Sequence, residues 1–123
     1  MVTYRPWESE FQVANIEILM AAPELRVLEV VLAAGECVPW HMHPQSDDLF
    51  VGVVGDFDVH EKMPYTVTRL GPAERLTVPA KRAHLVHNPG AGTIRFLNIQ
   101  GVGAYDYVPI GDQDDPAFEP RRP

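Results

Sequence analysis

The chain has 123 residues, 46% hydrophobic and 22% charged, so one folded domain is expected and wholesale disorder is excluded. Seventeen acidic residues against ten basic ones give a net charge of -7, which argues against nucleic acid and anionic membrane surfaces as partners. The single cysteine, Cys37, excludes a domain held together by internal disulfides.

The N-terminal segment, residues 1–11, lacks the apolar stretch and the small-residue cleavage site of a secretory signal. Elsewhere no apolar run approaches the roughly 18 residues that a membrane-spanning helix needs. The expectation is therefore a cytoplasmic protein with no membrane partner.

Short runs rich in β-branched residues dominate the chain, and each is interrupted by a glycine or proline turn signal. These runs are Leu25–Leu32, 49–54, 76–78 and 93–99. An earlier stretch, residues 10–22, fits a weak helical period but also a strand, because its apolar residues do not settle on one period. Many short strands at regular spacing predict an all-β sandwich or barrel.

Several of these predicted strands are apolar on both faces. In Leu25–Leu32, Val27 and Val31 alternate with Leu28 and Val30, so both faces of the strand need cover. One face would line the interior, and the other would meet a second sheet or a partner subunit. The sequence thus predicts a homodimer whose contact includes Leu25–Leu32.

The C-terminal segment from Asp106 onward differs in composition, because prolines and aspartates replace the strand pattern. Such a segment is expected to lie along the surface or to be partly disordered. The predicted domain organisation is therefore a single domain over residues 1–108, followed by a tail over residues 109–123.

The residues that carry chemistry begin with a histidine pair. His41 and His43 are two residues apart, and on a strand such residues project to the same face, as chelation of one metal ion requires. Two carboxylates, Asp47 and Asp48, follow after a short bend, and a third histidine, His84, stands near a later strand start. This combination favours a transition-metal site over a purely structural histidine pair.

The spacing of these residues resembles the two sequence motifs of the cupins, which are small double-stranded β-helix barrels. The residues that match the two motifs are Gly35, His41, His43, Asp48 and Gly55 in the first, and Pro79, His84 and Asn88 in the second. Two positions depart from the family pattern: Asp48 stands where Glu is usual, and Lys81 where Gly is usual.

The resemblance implies an all-β, cupin-like double-stranded β-helix (jelly-roll) barrel that binds one divalent transition metal. The implied ligands are His41, His43, Asp48 and His84. Fe, Mn, Ni, Co and Zn all suit imidazole and carboxylate ligands, so the metal itself stays open. The short arm of Asp48 leaves open whether it ligates directly, acts through a water or leaves three histidines to bind the metal, with Asp47 as a neighbouring alternative.

Strand parity predicts which side chains surround the implied site. Phe50 and Gly52 share the parity of Asp48, and Arg82 shares that of His84, so these three are candidate substrate-pocket residues. Packing is an equally good reason for Gly52, and a surface position at the mouth is the commoner place for an arginine.

Parity also sorts other polar residues. Cys37 has the parity of His41 and would either line the pocket or be buried and inert. Opposite parity predicts a structural or outward role for His87, and His60 is expected on a solvated face. The alternation from Phe96 onward predicts that the amides of Asn98 and Gln100 lie inside the barrel.

Two functional classes follow from the resemblance. The first is a small-molecule metalloenzyme of dioxygenase, isomerase or lyase type, whose polar substrate chelates the metal through a carboxylate or a vicinal carbonyl and hydroxyl. The alternative is a non-catalytic cupin that binds a metal or a small metabolite. No acid–base residue beside the ligands is evident in the sequence, and the fold does not choose between the two.

Overall fold

The structure is a computed structural model that describes residues 13–22, 25–101 and 108–109. All regular secondary structure in these ranges is β-strand. The strands are β1 Asn15–Ala22, β2 Leu25–Leu32, β3 Cys37–Met42, β4 Asp48–Val54, β5 Phe57–Glu61, β6 Thr66–Leu70, β7 Arg75–Val78, β8 His84–His87, β9 Ile94–Gln100 and β10 Val108–Pro109. These residues contain no helix long and apolar enough to cross a membrane.

The strands form two antiparallel sheets of five strands each. The first sheet has the order β1-β2-β9-β4-β7, and the second has the order β10-β3-β8-β5-β6. From β2 to β5, and again from β6 to β10, each connection carries the chain from one sheet to the other, as in a jelly roll. The predicted all-β jelly-roll architecture is confirmed, and the ambiguous stretch at residues 10–22 forms a strand where it is described. The predicted tail, residues 109–123, lies almost entirely outside the described residues.

The inner faces of the two sheets share one apolar core. The rings of Phe57 from the second sheet and Phe96 from the first sheet stack with their centroids 4.7 Å apart and are almost fully buried. Burying side chains of this size stabilises a fold by about 1.5–3 kcal/mol each. The core fills one end of the space between the sheets, and polar side chains occupy the other end.

A β-bulge in β3 changes the parity expected from the sequence. Val38 pairs with Val86, whereas His41 pairs with His84, so β3 uses one more residue than β8 over the same distance. The extra residue places Cys37 beside Trp40 and Leu85, in a small apolar cluster separate from the main core. The expectation that Cys37 shares the face of His41 is therefore wrong, and the structure favours the inert alternative for this half-buried cysteine.

Three loop positions of the cupin-like motifs adopt left-handed backbone conformations, the first being Gly35 between β2 and β3 with a φ of 80°. Gly55, between β4 and β5, has a φ of +75°, and a Cβ there would lie 2.6 Å from the Ile94 side chain. Lys81, at the position where the motif usually has glycine, has a φ of 72°. Lys81 therefore keeps the left-handed backbone conformation that glycine adopts easily, although lysine carries a Cβ and a long side chain.

Candidate metal centre

The four predicted ligands converge at the polar end of the space between the sheets. Their potential ligand atoms all lie within 4.8 Å of one another, and each side chain is buried. These residues are His41 on β3, His43 just after it, Asp48 at the start of β4 and His84 at the start of β8. The first sheet supplies the carboxylate and the second sheet supplies two of the histidines, so the site depends on the packing of both sheets.

The distances within the cluster suit a single ion. Asp48 Oδ2 lies 2.9 Å from His43 Nε2 and 2.8 Å from His84 Nε2. Ligand atoms at about 2.0–2.2 Å from one metal, bound at right angles, are about 2.9 Å apart. The second carboxylate oxygen, Asp48 Oδ1, is also buried, and no described residue donates a hydrogen bond to it. The donor set therefore fits a divalent transition metal.

Backbone carbonyls select the tautomers of two histidines. His41 Nδ1 donates to the carbonyl of Pro39 at 2.7 Å, and His84 Nδ1 donates to that of Arg82 at 2.8 Å. Because a carbonyl oxygen only accepts, both Nδ1 atoms carry the proton and both Nε2 atoms present a lone pair to the cluster. Hydrogen bonds of this kind orient metal-binding histidines in proteins.

The electrostatic environment keeps His41 and Asp48 in the protonation states that bind a metal ion. Burial, followed by the proximity of His84 and His43, holds the pKa of His41 well below its ordinary value, so this imidazole is neutral at neutral pH. Burial alone would raise the pKa of Asp48, but the adjacent His43 and His84 rings outweigh it and hold that pKa below its ordinary value. The cluster therefore offers a carboxylate beside a neutral imidazole, as a divalent cation requires.

Asp47, the alternative carboxylate for the metal site, lies outside the cluster and binds a backbone amide instead. It is exposed, and its Oδ1 accepts a hydrogen bond from the Ala80 amide at 2.8 Å. That bond joins the loop before β4 to the loop before β8. The carboxylate within the cluster is Asp48.

The three candidate pocket residues have different surroundings. Phe50 faces the interior, with its ring centroid 5.9 Å from that of His84. Gly52 contacts the loop after β6, and a Cβ on it would lie 2.1 Å from the Gly71 carbonyl oxygen, which favours the packing explanation. Arg82 forms an ion pair with a buried glutamate, so its guanidinium is already occupied. A substrate-pocket role for these three residues stays a prediction.

That glutamate, Glu61, is a residue that the sequence reasoning missed. It ends β5 and pairs in register with His84, so the two side chains share the inner face of the second sheet. Glu61 is 7% exposed, and its Oε1 lies 2.6 Å from Arg82 Nε. On β5, Glu61 has the same parity as the apolar residues Phe57 and Val59. This alternation would have predicted that the carboxylate faces inward.

The two remaining histidines lie on the other side of the second sheet. His60 is buried rather than solvated, because the Tyr65 ring covers it and its hydroxyl lies 2.6 Å from His60 Nδ1. The solvated position expected for His60 is therefore wrong. His87 is buried near His60, with ring centroids 6.4 Å apart, which agrees with the structural role predicted for it.

Comparison with known proteins identifies the fold. No protein-family model and no curated protein sequence matches the chain. An uncharacterized conserved protein with a double-stranded β-helix domain from Klebsiella pneumoniae is 18% identical, with a TM-score of 0.69 over 85% of this chain and 87% of that one. A cupin superfamily protein from Desulfitobacterium hafniense is 20% identical, with a TM-score of 0.64 over 76% of this chain and 83% of that one.

An oxalate oxidase also has this fold, at 16% identity and a TM-score of 0.66 over 73% of this chain and 50% of the oxidase chain. The present chain therefore has the double-stranded β-helix fold that these structures share, and this confirms the fold that its motif resemblance implied. Its buried cluster of three histidines and one aspartate forms a site that can hold a metal ion.

Proposed function

We propose that the protein binds one divalent transition metal ion through His41, His43, Asp48 and His84. The contact between His84 Nε2 and Asp48 Oδ2 at 2.8 Å carries this proposal. Because the Nδ1 proton of His84 already goes to a backbone carbonyl, two lone pairs face each other across this short distance unless a cation binds both. A bound metal ion provides that cation and leaves both histidine tautomers unchanged.

The proposed biochemical role is that of a small-molecule metalloenzyme acting on a polar substrate that chelates the metal. Fe, Mn, Ni, Co or Zn would supply Lewis-acid polarisation of a coordinated oxygen, and the redox-active ions would add oxygen chemistry. Phe50 closes one side of the cluster with an apolar ring, which limits access of water. Dioxygenase, isomerase and lyase activities all remain compatible with these residues.

Glu61 supports an enzyme over a non-catalytic metal or metabolite binder. This buried carboxylate faces the interior in register with His84, a position from which it can accept or return a proton of a metal-bound molecule. Arg82 holds it at 2.6 Å. The non-catalytic alternative is favoured by the same ion pair, because it commits the Glu61 carboxylate to Arg82.

A homodimer in the cytoplasm is the proposed state of the protein, with residues 1–108 as its domain. On the outer face of the first sheet, Val27, Ile99 and Leu49 form a cross-strand row of half-buried apolar side chains. Leu25 and Met20 extend it with exposed fractions of 37% and 56%. Apolar area of this kind commonly marks an interface between subunits.

Metal analysis of the purified protein tests the proposed metal site. His84→Gln and His87→Gln are a matched pair, because both residues are buried on β8 and only the first is in the cluster. Wild type and His87→Gln are expected to contain equimolar metal by mass spectrometry, and His84→Gln should lose most of it. Equal metal in the two variants would contradict the proposed site.

A further inference from the structure

A row of polar side chains crosses the inner face of the first sheet beside the metal centre. In the strand register, Gln100 of β9 lies between Asp48 of β4 and Arg26 of β2. Asn98, two residues before Gln100, lies on the same face. Alternation along β9 predicted that the two amides lie inside, and they are 6% and 3% exposed, whereas no sequence pattern singled out Arg26.

The hydrogen bonds along this row run in one direction. Arg26 Nη1 donates to Gln100 Oε1 at 2.9 Å, and Gln100 Nε2 donates to Asn98 Oδ1 at 3.1 Å. Because a guanidinium can only donate, Gln100 must present its oxygen to Arg26 and its nitrogen to Asn98. Asn98 must therefore accept through its oxygen, and its NH2 group is directed away from Gln100.

The NH2 group of Asn98 is the free end of this row. Its Nδ2 atom is buried, and within the described part of the chain no group accepts a hydrogen bond from it. Its partners in the strand register, Phe50 and Leu28, are both apolar. Buried donors without an acceptor are rare in folded proteins because they lose their hydrogen bonds to water. A donor held in a fixed orientation here indicates a ligand that brings an acceptor.

Asn98 is close enough to the proposed metal ligands for one small molecule to contact both. Gln100 pairs with Asp48, so Asn98 is the diagonal neighbour of Asp48, and such neighbours on a sheet are about 7–8 Å apart. Phe50 pairs with Asn98 and also contacts the His84 ring. A molecule of a few carbon atoms can span this distance.

We propose that the Asn98 NH2 group binds an anionic oxygen of the substrate, and that Arg26 acts through Gln100 to orient Asn98. This inference rests on the proposed function, in which the metal binds another oxygen of the same molecule. The positive charge of Arg26 polarises both amides, so the terminal donor favours a carboxylate over a neutral oxygen. The substrate class is therefore a small carboxylate with a hydroxyl or carbonyl on the adjacent carbon. Asn98 is a binding residue, while Gln100 and Arg26 are positioning residues.

Calorimetric titration of the Co²⁺-loaded and the metal-free protein tests this assignment, with the visible Co²⁺ spectrum as a second readout. The probes are glycolate, lactate, pyruvate and malate, with glycolamide as the uncharged counterpart of glycolate. The loaded wild type is expected to bind at least one of the carboxylates, and to bind glycolate about tenfold more tightly than glycolamide.

Three variants separate the roles of the residues. Asn98→Leu keeps the branched shape of the side chain and should weaken carboxylate binding about tenfold or more, with the Co²⁺ content unchanged. Arg26→Gln should remove the preference for glycolate over glycolamide. Arg95→Gln is the matched control, because Arg95 lies on the same sheet and pairs outward with Glu29 at 3.0 Å. It should change affinity by less than about twofold.

Equal carboxylate affinity in wild type and Asn98→Leu would overturn the inference, and so would the absence of carboxylate binding in both forms of the wild type. If Asn98→Leu does not fold, Asn98→Asp replaces it, since it keeps the acceptor for Gln100 and should repel the anion. A protein that takes up no Co²⁺ contradicts the proposed metal site instead. Carboxylate binding by the metal-free protein, lost in the Asn98 variant, would still support the role of Asn98.

Discussion

The amide of Lys81 donates a 2.8 Å hydrogen bond to the carbonyl oxygen of His43. This bond joins the loop before β8, which carries His84, to the segment that carries two other proposed ligands. Lys81 makes this bond in a left-handed conformation, at a φ of 72°. The loop that joins the two motifs therefore has a left-handed conformation at a lysine, a residue whose Cβ makes this conformation unfavourable.

Replacement of Lys81 by glycine should stabilise the protein. A left-handed residue with a Cβ costs about 1–2 kcal/mol, and the greater freedom of glycine in the unfolded chain offsets part of the gain. Lys81→Gly is expected to raise the free energy of unfolding by about 0.5–1 kcal/mol in urea denaturation. Ala80→Gly, at the adjacent residue without a positive φ, should lower it. A loss of stability in Lys81→Gly would contradict this explanation of the motif departure.

Asp48 should matter to metal binding as much as the histidines do. Its Oδ2 contacts two of the proposed ligands, whereas Asp47 is exposed and accepts a backbone hydrogen bond. Asp48→Asn is expected to lose most of the bound metal, and Asp47→Asn to keep it. The melting temperature should fall with chelator in wild type and Asp47→Asn, because a hundredfold excess of metal over Kd adds about 2.7 kcal/mol. Full metal content in Asp48→Asn would contradict a role for this carboxylate and show that the three histidines bind the metal without it.

Gly52 should tolerate no larger side chain. A Cβ there would lie 2.1 Å from a backbone oxygen of Gly71, so the loop after β6 has to move. Gly52→Ala is expected to destabilise the fold by about 2–3 kcal/mol, measured by thermal or urea unfolding. Gly92→Ala is the control, since no atom lies within 4 Å of a Cβ at that position. Similar stability of the two variants would rule out the packing role of Gly52.

The stability of the fold should decrease as the pH is lowered, partly because of His60. Burial lowers the pKa of His60, and the opposing effect of Asp58 is smaller. The folded state therefore binds this proton less tightly than the unfolded state, so stability is full above about pH 6.5 and decreases as the pH falls below it. Urea unfolding at pH 7.5 and 5.5, with chelator present, should show a smaller decrease in His60→Gln than in wild type. An identical decrease in both proteins would assign the pH dependence to other groups.

If the protein forms the proposed dimer, a charge introduced on the outer face of the first sheet should lower the mass of the protein in solution. Val27 faces outward in a row with Ile99 and Leu49, so Val27→Glu should dissociate the dimer because it buries a charge in the contact. Light scattering at micromolar concentration should then give about 13.7 kDa, against twice that mass for wild type. Val67→Glu, on an exposed position of the second sheet, should remain dimeric. A monomeric wild type would exclude the dimer at that concentration.

The sequence by itself determined four of the strands, β2, β4, β7 and β9, and the four residues of the candidate metal cluster. Residue spacing in the two motifs placed His41, His43, Asp48 and His84 together, and alternation along β9 placed Asn98 and Gln100 inside. These results hold because parity within one uninterrupted strand is a local property of the backbone.

Only the tertiary structure decided which side chains meet across strands. The bulge in β3 moved Cys37 off the face of His41, and the register of β5 with β8 brought Glu61 beside His84. In the same way, the pairing of β9 with β2 placed Arg26 at the end of the polar row. Register and bulges are set by the packing of strands distant in sequence, so the periodicity of any single strand carries no information about them.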